Sequence, residues 1–242
     1  MSEIDELKKA LMKAGNVAVL TGAGISAESG VPTFRGTGGL WRKYQVTELA
    51  TPEAFAKDPE LVWEFYNWRR DLISGVDCNP AHKALAELEK KIPRFTLITQ
   101  NIDGLHLKAG SRNLIEIHGN IWKVRCAGCG DIKLDLSPDM GLSPRCGECG
   151  GALRPHVVWF GEALDQDLLQ QAVAASRSCD VMLVIGTSAV VQPAASLAFE
   201  AKAAGAAVAE INLERTSQSD HMDFTLTGKA GLIVPKLTED WP

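Results

Sequence analysis

Short apolar runs and helically spaced segments alternate along most of the chain. A first helix is predicted over residues 4–14, before the stop signal Gly15-Asn16, because apolar residues recur there at helical spacing: Ile4, Leu7, Leu11 and Met12. Four short and largely apolar runs, each as long as a buried strand, follow at residues 17–20, 95–99, 181–185 and 206–211, the last of which includes Glu210. Helical stretches such as 81–91 and 193–204 separate them. This alternation predicts an α/β fold with a Rossmann-like parallel sheet covered by helices on both faces.

Each of these runs ends in a polar or glycine-rich turn. The first leads into Thr21-Gly22-Ala23-Gly24-Ile25-Ser26, and the others are followed by Gln100-Asn101, Gly186-Thr187-Ser188 and Asn212. In open parallel sheets, ligands bind outside the carboxyl ends of the strands. We therefore expect the four turns to face one cleft.

Two segments interrupt this alternation. Residues 37–75 are rich in aromatic side chains and helix-like, whereas residues 121–157 carry four cysteines and several glycines. We predict that they are a helical insertion and a zinc-binding insertion, which together form a small domain. The larger, Rossmann-like domain then comprises residues 1–36, 76–120 and 158–242.

The overall composition is ordinary for a globular protein. The 242 residues are 45% hydrophobic and 23% charged, with a formal net charge of −5. A nucleic-acid binder is disfavoured, since its surface should be basic, and no apolar run approaches the roughly 18 residues of a membrane-spanning helix. The first residues mix acidic and basic side chains, unlike a secretory or transit signal. We expect a cytoplasmic protein that binds neither membranes nor nucleic acid.

Four of the six cysteines form the pattern Cys126-x2-Cys129-x16-Cys146-x2-Cys149. In a reducing compartment, such pairs indicate a metal more often than disulfides. Four thiolates complete the tetrahedral coordination of Zn²⁺ and leave no position for water or substrate, so we expect a structural zinc site. Four unligated thiols or two disulfides are the alternatives. Cys78 and Cys179 have no partner at a useful spacing.

The turn Gly22-x-Gly24-x-x-Ala27 fits a dinucleotide-binding fingerprint, in which glycines let the backbone approach a pyrophosphate. The acidic residue expected about twenty positions later is missing, because that region reads Trp41-Arg42-Lys43-Tyr44. This disfavours an ordinary dehydrogenase. A glycine-rich turn with only a packing role is the alternative.

Six motifs taken together are more specific than any one of them. They occur in the order seen in sirtuins: GAGISAESGVPTFR (22–35), TQNIDGLHLKAG (99–110), EIHGN (116–120), the four-cysteine knuckles, RPHVVWFGE (154–162) and GTSAVVQPA (186–194). The chain resembles this family from about Gly15 to Leu232. The resemblance implies NAD-dependent removal of acyl groups from protein lysines. In that reaction the acyl oxygen attacks C1′ of the nicotinamide ribose, nicotinamide leaves, and the acyl group ends on ADP-ribose.

The resemblance also implies roles at the NAD site. His118 would be the general base that acts on the ribose hydroxyls, a role that suits imidazole because its pKa lies near neutrality. Asn101 and Asp103 would organise the nicotinamide end, and Phe34 and Arg35 would cover the reacting centre. The complete expected NAD site is Gly22, Ala23, Gly24, Ile25, Phe34, Arg35, Gln100, Asn101, Ile102, Asp103, Gly186, Thr187, Ser188, Asn212, Leu213, Glu214 and Ala230.

Several of these residues also have simpler interpretations. A single histidine after an alternating strand, such as His118, is more often structural. Asp103 and Ser26 could cap helices, and Asn212 could be a turn residue at a strand end. The catalytic roles are favoured by the six motifs in order.

Residues 157–162 are apolar, extended and closed by glycine. In the family the matching stretch pairs with the substrate peptide as an added strand. The resemblance therefore implies that this stretch binds substrate through Val157, Val158, Trp159, Phe160 and Gly161. An internal edge strand is the alternative.

Two stripes appear when helical spacing is applied to residues 58–74. One is a conventional core face of Leu61, Phe65, Trp68 and Leu72, and the other runs through Val62, Tyr66, Arg69 and Ile73. An arginine on an apolar stripe suggests a partly buried cation that awaits an anion. Tyr66-x-x-Arg69 and Ala50 also resemble the carboxylate-binding pair and the small pocket residue of the desuccinylase branch of sirtuins. This implies removal of succinyl or malonyl besides acetyl groups, although Arg69 could instead pair with Glu64 or Asp71.

Two other functions stay open at this point. Attack at C1′ by a protein nucleophile would give mono-ADP-ribosyl transfer, and a chain without catalysis would be a zinc-containing interaction module. The expected partners are proteins or peptides that carry acyl-lysine, with NAD as co-substrate and Zn²⁺ as structural metal. The expected state is a monomer.

Overall fold

The computed structural model describes residues 2–33, 40–42, 44–239 and 241. Eleven strands lie within these ranges: β1 (Asn16–Thr21), β2 (Leu40–Trp41), β3 (Tyr44–Gln45), β4 (Arg94–Thr99), β5 (Leu114–Glu116), β6 (Gly119–Cys126), β7 (Ile132–Leu134), β8 (Leu153–Val157), β9 (Val181–Ile185), β10 (Ala207–Asn212) and β11 (Phe224–Thr227).

The same ranges contain ten α-helices: α1 (Glu3–Lys13), α2 (Gly24–Ala27), α3 (Val46–Leu49), α4 (Pro52–Lys57), α5 (Pro59–Ser74), α6 (Pro80–Lys91), α7 (Leu105–Lys108), α8 (Gln166–Ser178), α9 (Leu197–Ala203) and α10 (Ala230–Thr238). Among these helices, none combines the length and the apolar character that crossing a bilayer requires.

The main sheet has six parallel strands in the order β11-β10-β9-β1-β4-β5. Four of them are the predicted apolar runs, each within one or two residues of its expected bounds. β1 and β9 are buried along their whole length, because they lie inside the sheet with helices on both faces. The predicted α/β fold is confirmed.

Side chains of β1 alternate between two hydrophobic layers. Val17 and Val19 pack against α1, α6 and α10, whereas Ala18 and Leu20 pack against α8 and α9. This period of two is what a strand covered on both faces requires. Of the apolar residues that predicted α1, Leu7 and Leu11 are fully buried, whereas Met12 is 45% exposed.

The order of connection reverses between β1 and β9. From β1 the chain continues to β4 and β5 on one side, whereas β9, β10 and β11 extend the sheet on the other side. A crevice at the carboxyl ends of strands where the order reverses is the usual ligand site of such sheets. The predicted turns after β1 and β9 therefore meet at this switch point.

A second hydrophobic cluster lies outside the main sheet. It combines side chains from α3 and α5 with the antiparallel sheet β7-β6-β8. On α5, the stripe Val62–Tyr66–Arg69–Ile73 is buried, whereas Trp68 is 37% exposed and Leu61 and Leu72 are only partly buried. Leu61 and Leu72 nevertheless pack against this cluster, so the expected conventional core face was wrong only at Trp68.

Arg70, which sequence analysis did not single out, joins α5 to the cysteine-bearing insertion. Its fully buried guanidinium donates hydrogen bonds to the carbonyls of Ile121, Asp135 and Ser137 at 2.5–2.8 Å, and pairs with the Asp135 carboxylate at 3.1 Å. Burial lowers the pKa of Arg70 below its usual value, and the charge of Asp135 partly opposes this effect. A buried charge that satisfies three carbonyls fixes how the two insertions pack together.

Candidate active site

Two glycine turns pack directly on each other at the switch point. The N–H of Gly22 donates to the Ile185 carbonyl at 3.0 Å, and the N–H of Gly24 donates to the Gly186 carbonyl at 2.8 Å. A Cβ on Gly186, whose φ is +61°, would lie 2.4 Å from the backbone nitrogen of Ile25. The packing role considered for the glycines is therefore real. Their contact with a pyrophosphate stays a prediction.

Polar side chains connect the four predicted turns into one cluster. The Gln100 amide donates to the Thr187 hydroxyl at 3.1 Å, and the Asn212 amide donates to the Thr187 carbonyl at 2.8 Å. The Asn101 amide donates to the carbonyl of Gly22 at 3.1 Å. The four turns therefore meet at one place, as expected, and that they line one ligand cleft stays a prediction.

Asp103 is a buried carboxylate with two defined partners. It accepts a hydrogen bond from the Ser26 hydroxyl at 2.8 Å and another from the Leu105 N–H at 2.9 Å. Burial raises the pKa of Asp103 above its usual value, although these two hydrogen bonds and the nearby Arg69 partly oppose this rise. The N-cap of α7 is Gly104, which makes no side-chain capping bond, so the capping role suggested for Asp103 is wrong. The bond to Leu105 instead satisfies the first backbone N–H of this helix. Ser26 lies inside α2 and does not cap it.

Two buried histidines that sequence analysis missed underlie this cluster. The rings of His82 and His106 lie 4.8 Å apart and contact the hydroxyls of Ser26 and Thr21, with N–O distances of 3.4 and 3.0 Å. Burial lowers the pKa of His82 to about 4. Burial, with a contribution from His82, lowers that of His106 to about 3. Both rings are neutral at pH 7. The one signal in the sequence was the position of His82 three residues before Leu85, on the core face of α6.

His118 follows β5 and projects towards the cluster, half-buried. Its Nδ1 lies 3.0 Å from the carbonyl of Gln100. Because a carbonyl only accepts, Nδ1 carries the proton of the neutral ring and Nε2 keeps its lone pair. Burial lowers the pKa of His118 below its usual value, and the hydrogen bond to Gln100 only partly opposes this effect. Nδ1 thus has the structural role that the simpler interpretation of His118 gave the whole ring. Nε2 can still accept a proton.

The remaining residues of the expected NAD site lie around this centre. Ala23, Ile25 and Ile102 belong to the turns after β1 and β4, and Ser188 follows Thr187. Leu213 and Glu214 are exposed beyond β10, and Ala230 begins α10. The Glu28 carboxylate, which sequence analysis missed, accepts from the Gly231 N–H at 2.8 Å and so ties α2 to the N-terminus of α10. Phe34 and Arg35 lie outside the described residues.

Ala50, Tyr66 and Arg69 lie beside the same centre. All three are at least nine-tenths buried. Burial lowers the pKa of Arg69, whereas Tyr66 and Asp103 raise it, so this guanidinium lies in the field of the Asp103 carboxylate. Glu64, considered as a partner of Arg69, pairs with Arg42 at 2.7 Å.

The stretch 157–161 is only partly a strand. Val157 ends β8 and pairs with Gly119, while Val158 and Trp159 leave the sheet and Phe160-Gly161 form a turn. The expected extended stretch is therefore wrong at Phe160 and Gly161, where the chain turns. Backbone bonds hold the segment against the site: the Val158 N–H donates to the His118 carbonyl and the Phe160 N–H to the Ala50 carbonyl, each at 2.9 Å. Phe160 is 52% exposed.

The four predicted metal ligands converge. The sulfurs of Cys126, Cys129, Cys146 and Cys149 all lie within 4.8 Å of one another. Two of their distances, 3.4 and 3.8 Å, are close to the roughly 3.8 Å between thiolates on a tetrahedral zinc. The N–H groups of Gly128 and Gly151 point at sulfurs, which favours thiolates. The cluster therefore fits a closed zinc site.

The cysteine cluster and His118 lie at opposite ends of β6. Cys126 is the last of the eight residues of this strand, and His118 immediately precedes its first residue. Eight residues of extended chain span roughly 25 Å. A metal held by these cysteines is therefore too far from His118 to act on the same substrate atom.

Comparisons with known proteins agree on one family. Residues 22–193 match the model of the Sir2 family. The chain is 53% identical to an NAD-dependent protein deacylase of Pyrococcus furiosus, covering 98% of this chain and 97% of that protein. It is 46% identical to the mitochondrial NAD-dependent protein deacylase sirtuin-5 of Xenopus tropicalis, covering 97% and 84%. A solved complex of a Sir2 homologue with NAD superimposes with a TM-score of 0.93 at 48% identity, over 97% of this chain and 92% of that one.

Loss of the metal is predicted to unfold the small sheet rather than to stop chemistry directly. Metal binding contributes on the order of 10 kcal/mol to small cysteine-zinc modules. Chelation or Cys146→Ala should therefore lower the melting temperature and the soluble yield, with activity lost in proportion. Cys78→Ala, which removes a thiol outside the cluster, is the matched control. Retained heat stability with turnover alone abolished would mean that the metal is catalytic.

Proposed function

The chain belongs to the Sir2 family, and from this premise we propose that it is an NAD-dependent protein-lysine deacylase. The proposal includes acetyl groups and, through Tyr66 and Arg69, succinyl or malonyl groups. The observation that carries it is the single hydrogen-bonded cluster in which His118, Asn101 and Asp103 meet the glycine turns at the switch point. The names of the relatives, which are protein deacylases, support it further.

The donor set at the switch point suits a dinucleotide. Backbone N–H groups and the side chains of Gln100, Asn101, Thr187 and Asn212 offer hydrogen bonds to phosphates and riboses. NAD supplies, when bound, an electrophilic ribose carbon and nicotinamide as a leaving group. The Asp103 carboxylate and the Asn101 amide both contact Ser26 beneath the turn, which supports the proposal that they hold the nicotinamide end.

His118 is suited to the role of general base. Its Nδ1 proton is held by the Gln100 carbonyl, so the ring cannot turn or change tautomer without losing that bond. The lowered pKa keeps Nε2 unprotonated at neutral pH. This arrangement lets the ring take a proton from a ribose hydroxyl while its orientation is fixed.

Arg69 and Tyr66 support the choice of an acidic acyl group. Both side chains are buried, and Ala50 belongs to the same hydrophobic cluster as Tyr66. A guanidinium offers donors in a planar fork that matches a carboxylate, and the phenol adds one more. A neutral acetyl group gains nothing from these donors.

The proposal extends to the organisation of the molecule. Residues 37–75 and 121–157 would form the small domain and the remaining segments the NAD-binding domain, as predicted. A cytoplasmic monomer that acts on acyl-lysine peptides is part of the proposal. The cytoplasmic location is supported by the four-cysteine cluster, because a zinc site of this kind requires thiols that stay reduced.

Product analysis tests the proposal. Purified protein with NAD and peptides that differ only in an acetyl, malonyl or succinyl group should release nicotinamide, free lysine and O-acyl-ADP-ribose, identified by mass spectrometry. A protein or peptide that gains ADP-ribose would instead indicate mono-ADP-ribosyl transfer. No consumption of NAD with any peptide would leave the chain a zinc-containing interaction module.

His118→Ala is predicted to lower turnover by about two orders of magnitude or more, which is what loss of a general base costs. Folding and NAD affinity should hardly change. In the wild type, burial lowers the pKa of His118 from its usual 6.5. The base loses activity only when it is protonated, so the acid limb of the kcat profile should lie below pH 6.5. His221→Ala, on an exposed histidine, is the matched control. Near-normal turnover of His118→Ala would remove the catalytic assignment.

Arg69→Met is predicted to change acyl selectivity rather than abolish chemistry. A hydrogen bond to a charged group contributes about 1.5–3 kcal/mol, so kcat/KM for succinyl-lysine should fall roughly tenfold to a hundredfold. The loss should appear mainly in KM, because the carboxylate is held equally in the ground and transition states. Acetyl-lysine turnover should change far less, and Tyr66→Phe should act in the same direction more weakly.

The comparison uses one peptide, saturating NAD and Arg177→Met as the control, since Arg177 is an exposed arginine on α8. Equal losses on acetyl and succinyl peptides would mean that Tyr66 and Arg69 only hold α5 in place. The acidic-acyl part of the proposal would then be withdrawn, while deacylation itself would stand.

A further inference from the structure

A buried hydrogen bond joins Trp159 to Tyr66. The indole Nε1–H donates to the phenolic oxygen at 2.8 Å, and the two side chains are only 2% and 1% exposed. An indole N–H can only donate, whereas a phenol can both donate and accept. The direction of this bond is therefore fixed by chemistry, with Tyr66 as the acceptor.

The bond determines what Tyr66 can offer to a ligand. Since Trp159 occupies its oxygen as an acceptor, the group that Tyr66 has left for an acyl chain is its O–H proton. Burial raises the pKa of Tyr66, so the phenol keeps this proton at neutral pH. A hydroxyl that accepts one hydrogen bond also becomes a better donor in a second. Together with Arg69, whose guanidinium carbon lies 5.9 Å from the Tyr66 ring centre, it gives a pair of donors.

Trp159 is itself held from two sides. The Arg154 guanidinium lies over the indole, 3.4 Å from the ring centre, and is fixed by two hydrogen bonds to the Glu162 carboxylate at 2.6 and 2.9 Å. The same carboxylate also accepts a hydrogen bond from the backbone N–H of Trp159 at 2.9 Å. Phe55 packs against the indole with ring centres 5.3 Å apart. The cation on the ring face also draws electron density from the indole and strengthens its N–H as a donor.

We infer that Trp159 is a specificity-determining positioning residue, whose indole N–H holds the Tyr66 hydroxyl as a donor directed at an acidic acyl group. Trp159 touches Tyr66 rather than the distal carboxylate, and it acts through the phenol. The inference rests on the proposed function, because it assigns a role within the acyl site described there. A phenylalanine at 159 would keep an aromatic wall and free the Tyr66 oxygen to rotate or accept.

The first test is Trp159→Phe, measured as the ratio of kcat/KM for succinyl-lysine to that for acetyl-lysine on one peptide. The ratio should fall about threefold to tenfold, the effect of one neutral hydrogen bond, mainly through the KM of the succinyl peptide. Using the ratio cancels any general loss from the changed turn 159–162. An unchanged ratio would overturn the inference.

A double-mutant cycle separates positioning from pocket shape. If Trp159 acts through the phenol, Trp159→Phe should leave the ratio unchanged when Tyr66 is already phenylalanine. The same fall in both backgrounds would mean that the indole merely shapes the pocket, and would overturn the inference. If Tyr66→Phe alone leaves the ratio unchanged, the role proposed for Tyr66 in acyl selectivity fails and the inference falls with it, whereas the role of Arg69 is judged by Arg69→Met. If only Trp159→Phe is without effect, the inference falls alone.

A variant that keeps the shape of the indole guards against a folding defect. Site-specific replacement of Trp159 by benzothienylalanine exchanges the N–H for sulfur at almost the same volume. It should lower the succinyl-to-acetyl ratio as Trp159→Phe does, with an unchanged melting temperature. A ratio equal to that of the wild type would show that the N–H has no part in selectivity.

Discussion

At the switch point of the sheet, the N–H of Gly24 donates to the carbonyl of Gly186 at 2.8 Å, and nothing larger than hydrogen fits between the two turns. The rest of the site depends on this contact. The paired strands β1 and β9 already end side by side, and this contact holds together the turns that follow them. At these turns the Asn101 amide reaches the Gly22 carbonyl and the Gln100 amide reaches the Thr187 hydroxyl. The Gln100 carbonyl then sets the orientation of His118. A side chain at either glycine would separate the turns and disturb each of these bonds.

Burial is the second constraint, because it sets the protonation state of each group. It keeps His118, His82 and His106 neutral by lowering their pKa values, and it keeps the Tyr66 phenol protonated by raising its pKa. Charges that stay buried have partners: Ser26 for Asp103, and three backbone carbonyls for Arg70. The site therefore offers the neutral His118 ring as a base and the protonated Tyr66 phenol as a hydrogen-bond donor.

The sequence predicted those features that local pattern determines. Buried parallel strands appear as continuous apolar runs, so four strands of the main sheet could be predicted closely. The spacing of the cysteines indicated the cluster, since knuckles depend on local backbone. The glycine turns were found too, although the contact of Gly24 with Gly186 joins residues that are distant in sequence.

Features set by tertiary contacts were missed or misjudged. On α5 both stripes are apolar, and only packing against β6 and β8 decides that Tyr66 is buried while Trp68 is 37% exposed. Arg70 could not be singled out from the sequence, because its carbonyl partners lie fifty or more residues away. Its place four residues after Tyr66, on one face with Trp63, was the available signal. The bond between Trp159 and Tyr66 crosses 93 residues, and no spacing rule could suggest it.

A crystal structure with a succinyl-lysine peptide is the decisive measurement for the acyl site. The distal carboxylate should lie within hydrogen-bonding distance, about 2.7–3.2 Å, of both the Tyr66 hydroxyl and the Arg69 guanidinium. The indole N–H of Trp159 should still donate to Tyr66, and the acyl carbonyl should face the cluster around His118 and Asn101. A carboxylate that points to solvent, with Tyr66 and Arg69 in contact with protein atoms alone, would contradict the proposed acyl site.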